Sequence, residues 1–224
     1  SCDFANCYRT DSPEYRKLTQ QTFVELWKRG LIYEALRPNI YCPGCKTTLA
    51  EADVVYKEKE TELVYIKFKV KETDEEITIA TTRPELLCAC QAVIYNPSDE
   101  RYSHLKDKHA IVPIYERAVP ILAHPQARPE FGTGLAMICS YGDLTDVRLF
   151  RELRLKEIKA INEEGRLTSI AGKYEGMKVK EARKAIIDDL EEKGLLVKKE
   201  KLFHRVAICE RSKHEVEFVP MKDY

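Results

Sequence analysis

Net charge is the first thing this sequence lacks. Its 37 Lys and Arg residues balance 37 Asp and Glu, so no broad field draws a polyanion in from a distance and a nucleic-acid partner must be recognised locally. Long apolar runs are missing too. No stretch approaches the roughly eighteen consecutive apolar residues of a membrane span, and the opening Ser1-Cys2-Asp3-Phe4 has neither the basic nor the apolar region of a secretion signal. Nor is there a phosphate-cradling Gly-x4-Gly-Lys-Ser/Thr, a dinucleotide Gly-x-Gly-x-x-Gly or a Gly-x-Ser-x-Gly elbow, which removes support for a nucleotide cofactor site, ATP chemistry and serine-esterase chemistry. Internal repeats and low-complexity linkers are also absent. These absences lead us to expect a soluble, cytoplasmic chain with no membrane partner. The abrupt start at Ser1 and stop at Tyr224 read as those of a piece cut from a longer protein.

Cysteine, by contrast, is plentiful. Eight in 224 residues, without a secretion signal, point to reduced thiols and a metal site rather than a disulfide framework. Cys42-Pro43-Gly44-Cys45 has the shape of half a zinc knuckle, because a tight turn brings both thiolates to one tetrahedral ion. The candidate other half is distant, in Cys209-Glu210-Arg211-Ser212-Lys213-His214, where serine stands three places after the cysteine. If Cys209 and His214 complete the set, a structural zinc would pin the two ends of the chain together. The alternative is thiols without metal.

Along the chain, Asp11-Ser12-Pro13-Glu14 caps an amphipathic helix that stops at Gly30. Short strand-like pieces follow at Leu31-Ile32-Tyr33 and Asn39-Ile40-Tyr41. From residue 52 to 82 the pattern becomes alternating and β-branched, predicting antiparallel strands at 54–56, 63–70 and 77–82. Further short strands are expected at 92–95, 109–114 and 119–122, a hairpin around Gly165, a charged helix over 179–194 with a solvated outer face, and short strands beyond. The fold class is α+β: a β-barrel-like core with peripheral helices and a zinc-knuckle extension where the chain ends meet. Residues 51–195 form the main domain; residues 1–50 and 196–224 form a linking helix and knuckle-like region.

The most site-like stretch runs from Gly132-Thr133-Gly134 through the apolar strand 135–139 to Gly142-Asp143-Leu144-Thr145-Asp146. Strand, turn, two carboxylates and helix follow in that order. From these residues alone Asp143 and Asp146 serve equally well as helix caps or as a catalytic pair. Met137 and Cys139 lie in the strand, and Cys139, like Cys88 and Cys90, reads as a small packing residue.

Thr81-Thr82-Arg83-Pro84-Glu85, then Gly132-Thr133-Gly134, then Gly142-Asp143-Leu144-Thr145-Asp146, in this order and spacing, resemble the editing domain inserted into class I valyl-, isoleucyl- and leucyl-tRNA synthetases. Each motif is weak alone, and the ordered set is specific. The opening helix, Cys42-Pro43-Gly44-Cys45, Asn162-Glu163-Glu164-Gly165-Arg166 and Cys209-Glu210-Arg211-Ser212-Lys213 extend the resemblance over nearly the whole chain. Arg83-Pro84-Glu85, where isoleucyl enzymes tend to carry Thr-Pro-Trp-Thr, and the closing cysteine motif resemble the archaeal and eukaryotic valyl type. Met137, Cys139 and Leu86 depart from the lysine and threonines of some valyl enzymes.

The resemblance implies hydrolysis of threonine wrongly esterified to valine tRNA. Valyl enzymes are a known case of an apolar synthetic pocket that cannot strongly reject an isostere with an added hydroxyl, so a second site must remove the error. It implies Asp146 on the aminoacyl ammonium, with Asp143 beside it, and Thr82 among the catalytic set. Thr81, Arg83, Glu85, Gly134, Met137 and Cys139 then bind the terminal adenosine or line the pocket. The implied partners are the 3′ end of aminoacylated valine tRNA and the remainder of a parent synthetase, with the chain itself monomeric. A tRNA-end-binding module without catalysis is the competing reading.

Overall fold

The computed structural model describes residues 7–224, so Ser1-Cys2-Asp3-Phe4 lies outside the described residues. The chain divides into two units, Ser1–Arg37 with Met221–Tyr224, and Pro38–Pro220. In the first, α1 (Pro13–Lys28) begins where the sequence places it. Ser12 Oγ accepts from Tyr15 N at 3.2 Å, and Pro13 fills a first-turn position whose N–H would have no helical partner. No residue of α1 is buried, although Phe23 and Trp27 meet the ring of Tyr224 at centroid distances of 6.0 and 5.7 Å. The strand expected at Leu31-Ile32-Tyr33 does not form. After Gly30 (φ 70°) these residues lead through bends, with Leu31 and Tyr33 exposed, because so short a segment without a paired neighbour gains little by extending.

A small sheet, in the order β10–β1–β2, comprises β1 (Ala35–Cys42), β2 (Thr47–Thr48) and β10 (Glu217–Asp223). The larger sheet joins β3 (Val54–Val70), β4 (Glu76–Thr81), β5 (Cys90–Tyr95), β6 (His109–Val112), β7 (Arg117–Ala123) and β8 (Leu135–Cys139) in the order β4–β3–β6–β7–β5–β8, and β9 (Leu196–Cys209) also pairs with β3. All its pairs are antiparallel except β5 with β7. The sheet curls into a half-barrel. Its two end strands are drawn together where Thr133 Oγ1 donates to Thr78 O at 2.6 Å and Gly132 passes over Ala80, 2.5 Å from where an added Cβ would sit.

The strands expected separately at 54–56 and 63–70 are one 17-residue strand, and the short signals after Leu195 are one 14-residue partner. Pairing runs from Val54↔Cys209 to Ile66↔Leu196. Much of this ribbon is wet on both faces, so apolar alternation does not mark it; Tyr65 OH donating to Glu200 at 2.7 Å and the Lys201–Glu60 pair at 2.8 Å hold parts of it. The hairpin expected around Gly165 reduces to a single bridge, Ile161↔Leu167.

Two helices cover the half-barrel. Alternate residues of β5 and β8 point to opposite faces: Val93, Tyr95, Leu135 and Cys139 join the main core with Val64, Ile66, Phe68 and Ile79, whereas Ala92, Ile94 and Ile138 join a second core. The helix α3 (Val179–Glu192) packs Ala182, Ile186 and Leu190 onto the first, and α2 (Leu144–Glu152) packs Leu149 and Phe150 onto the second. Burial on both faces is why these two strands read as continuous apolar runs.

Candidate active site

Three pieces of chain meet beyond the end of β4. Thr81 closes the strand, and its Oγ1 accepts from Arg83 N at 3.0 Å, turning the chain into the short 3-10 helix Pro84–Ala89. The turn after β8 then leads through Gly142 into α2. Asp143 caps this helix, its Oδ1 accepting from Thr145 N at 2.7 Å and Asp146 N at 2.9 Å. Asp146 reaches back: its Oδ2 accepts from Gly142 N at 2.7 Å. Capping and site geometry therefore coexist in the same two carboxylates. Gly142 is needed for that closeness, because an added Cβ would lie 2.6 Å from Asp146 Oδ2.

Asp146 is half-buried and Asp143 exposed. Burial, then the neighbouring Asp143 charge, push the Asp146 carboxyl up to about 7, against the opposing pull of the Gly142 and Cys139 N–H groups and of Arg83. The surroundings leave its negative charge under-compensated. Such a carboxylate is suited to meeting a cation that arrives with a ligand.

Arg83 joins the two aspartates to a buried ionic network. Its Nη1 donates to Gly142 O at 3.3 Å, its Nε to Glu85 Oε1 at 2.9 Å, and its Nη2 to Glu217 Oε2 at 2.7 Å. Glu85, whose side chain is 0% exposed, also receives Arg183 in a fork, Nε to Oε2 at 2.9 Å and Nη2 to Oε1 at 2.8 Å. Burial alone would raise the Glu85 pKa, but the two guanidinium groups outweigh it and the carboxylate is held below its ordinary range. Glu217 makes its direct ion pair with Arg83, and burial, with the Glu85 charge nearby, keeps its pKa raised against the pull of Arg83 and Arg183.

The structure thus brings Thr81, Arg83, Gly142, Asp143 and Asp146 together, and encloses Glu85 behind them with both oxygens engaged. Thr82 lies half-buried at the same strand end. Met137 and Cys139 face the main core from β8, and burial, with Cys90 alongside, holds the Cys139 thiol well above its ordinary pKa. Gly134 stands elsewhere: at φ 89°, its added Cβ would meet Arg101 at 2.8 Å and Asp99 at 3.1 Å, an ion pair that braces the loop before β8.

Arg183 and Glu217 were not among the residues expected here. The signal for them was present. On α3 the buried positions are 179, 182, 186, 187 and 190, and residue 183 falls on that stripe rather than on the outer face. On β10, Glu217 shares a strand face with buried Val219.

At the thiol cluster, the ligand atoms of Cys42, Cys45 and Cys209 all lie within 4.8 Å of one another, with Cys45 Sγ 3.8 Å from Cys209 Sγ. Cys45 N donates to Cys42 Sγ at 3.3 Å, as the turn of a knuckle does. This donor set fits a thiophilic ion such as zinc. His214 stands outside the group: its Nδ1 is 3.1 Å from Ser212 O and its ring covers Gly44, while Ser212 Oγ lies 3.1 Å from Cys42 Sγ.

The family model for class I tRNA synthetases (I, L, M and V) matches residues 1–223. A valine–tRNA ligase of Nanoarchaeum equitans is 54% identical over all of this chain and 30% of its own length, and one of Pyrobaculum aerophilum is 53% identical over 96% of this chain and 26% of its own. A solved LeuRS–tRNA–LeuAMS ternary complex of Agrobacterium radiobacter K84 covers 88% of this chain and 33% of its own at 20% identity and a TM-score of 0.48. The chain therefore spans under a third of the length of these relatives. It belongs to the class I tRNA synthetase family of the isoleucine, leucine, methionine and valine enzymes.

Proposed function

We propose that this chain is the editing module of a valine–tRNA ligase and that it hydrolyses threonine wrongly esterified to the 3′ end of valine tRNA, in the cytoplasm where that tRNA is charged. The observation that carries the reading is Asp146: an under-compensated carboxylate, held by Gly142 N at 2.7 Å and braced through Gly142 O by Arg83. The α-ammonium of an aminoacyl ester supplies the cation that this group lacks, through charge-assisted hydrogen bonds that also fix the direction of the ester. Asp143, exposed beside it, accepts from the ammonium or from the threonine hydroxyl. Valine carries the same ammonium but no hydroxyl, and would leave the hydroxyl's polar partner unpaired, at a cost of about 1–3 kcal/mol.

The ester is already activated, so the chain's task is to position it and a water molecule. Thr81 and Thr82 present hydroxyls at the strand end for that water or for the terminal adenosine. Burial holds the Cys139 thiol protonated, which disfavours a covalent route. Arg83 and Glu85 support the reading as the frame of the site. The Cys42, Cys45 and Cys209 thiolates would hold a zinc ion, which would supply a structural cross-link away from this chemistry.

The test is deacylation of threonyl-tRNA specific for valine, by the whole chain and by the parent synthetase containing it. Asp146→Ala should slow release on the order of 10²-fold. Release no faster than the spontaneous rate in both proteins would sink the hydrolytic reading and leave a module that only holds the tRNA end.

A further inference from the structure

Arg183 is a partly sheltered charged group, its side chain 25% exposed, that the proposed reaction does not use. It stands on α3, packed on the main core, whereas Asp146 starts α2, packed on the opposite face of β5 and β8. Taking a guanidinium partly out of water is costly, and the full bidentate grip on Glu85 offsets that cost. From Glu85 the contacts continue without a gap. Oε1 accepts from Arg83 Nε at 2.9 Å, Arg83 Nη1 donates to Gly142 O at 3.3 Å, and Gly142 N donates to Asp146 Oδ2 at 2.7 Å. One line of hydrogen bonds therefore passes around the strand ends from one covering helix to the other. Because a guanidinium is a rigid plane, the orientation of the Glu85 carboxylate dictates how Arg83 presents its remaining nitrogens.

We propose that Arg183 is a positioning residue for Asp146: by clamping Glu85 it holds Arg83 against the Gly142 carbonyl, and so sets the turn on which Asp146 receives the aminoacyl ammonium. The inference rests on the hydrolytic reading above and adds to it a residue 98 positions from Glu85 in the sequence.

The experiment compares Arg183→Met and Arg183→Lys in the whole chain, with Tyr174→Phe as a control that removes the Tyr174–Asp189 bond to the same helix without touching the network. Deacylation of threonyl-tRNA specific for valine is followed against pH per folded molecule, and the Asp146 carboxyl is titrated by carbon-detected NMR. The groups facing Asp146 are Asp143 of α2, the Cys139 thiol of β8 and Arg83, the cation among them. Loosening Arg83 should move the Asp146 midpoint upward and lower kcat about tenfold or more, with KM within about twofold. Arg183→Lys should recover part of the loss, since a point charge grips only one oxygen well, and it carries the comparison if the methionine variant does not fold. Tyr174→Phe should change neither readout. Wild-type rate and midpoint in Arg183→Met, with Asp146→Ala inactive, overturn the inference while the hydrolytic reading stands. A moved midpoint in a chain that hydrolyses nothing supports the positioning role and sinks the reading.

Discussion

At neutral pH, Asp146 keeps part of a proton that a free aspartate would have lost. Its folded pKa, about 7, lies above the ordinary carboxylate range, so between roughly pH 4 and pH 7 the folded chain binds more protons than the unfolded chain. Stability must then fall as pH rises through that window. Asp146→Asn keeps an acceptor for Gly142 N and discards the charge. It should stabilise the chain at pH 8 by about 1–2 kcal/mol after solvent screening, and the gain should vanish near pH 4, as read from urea midpoints at the two pH values. Such a gain, alongside lost hydrolysis, is what a site under-compensated for the sake of its ligand produces. Gly142→Ala tests the same contact sterically. Gly142 is not at positive φ, so alanine adds no backbone strain, and its methyl crowds Asp146 Oδ2 while meeting Leu86 Cδ1 at an ordinary 3.5 Å; we expect about 1–3 kcal/mol of destabilisation in thermal unfolding and a loss of hydrolysis greater than the loss of fold.

Among the elements, the 3-10 helix Pro84–Ala89 bears the most concentrated electrostatics. Glu85→Gln leaves Arg83 and Arg183 facing each other across a neutral amide, and guanidinium unfolding should record a loss of about 3–5 kcal/mol. Adding Arg183→Met should cost less than the sum of the two single changes, because the second removes a charge that the first left unpaired. For the β1–β2 turn and the end of β9, metal analysis should find one zinc per chain, and Cys209→Ser should abolish it. Ser212→Cys, which would place a fourth sulphur beside Cys42, should slow removal of the ion by a chelator. Equal removal rates in the two proteins would mean that Ser212 does not face the ion.

On the scale of the whole molecule, the residues of all four apolar clusters fall within Pro38–Pro220. A chain of residues 38–220 should therefore fold cooperatively and melt within a few degrees of the full chain, as differential scanning calorimetry would record. The sequence made much of this body legible. Strands β4, β5 and β8 and helices α2 and α3 were readable because each buries a face or both faces in a regular period. The β3–β9 ribbon was legible only at 54–56 and 63–70, because the exposed charged residues between follow no apolar alternation and are held by pairing across 13 residue pairs. The Leu31-Ile32-Tyr33 segment misled for the opposite reason, being apolar without a strand to pair with.

Local chemistry, which the sequence alone determines, settled the caps, the Cys-Pro-Gly-Cys turn and the carboxylate pair at the start of α2. Asp143 accepts from N–H groups two and three residues on, and Asp146 from one four residues back; bonds of that reach need no tertiary partner to be foreseen. Only the tertiary structure decided what stands behind the pair. Glu85 and Arg183 are 98 positions apart and Arg83 and Glu217 are 134 apart, and a charged side chain in a sequence gives no sign of whether water or another charge will meet it. The curl of the sheet made that choice, by closing the strand ends over four charges that are stable there only in each other's company.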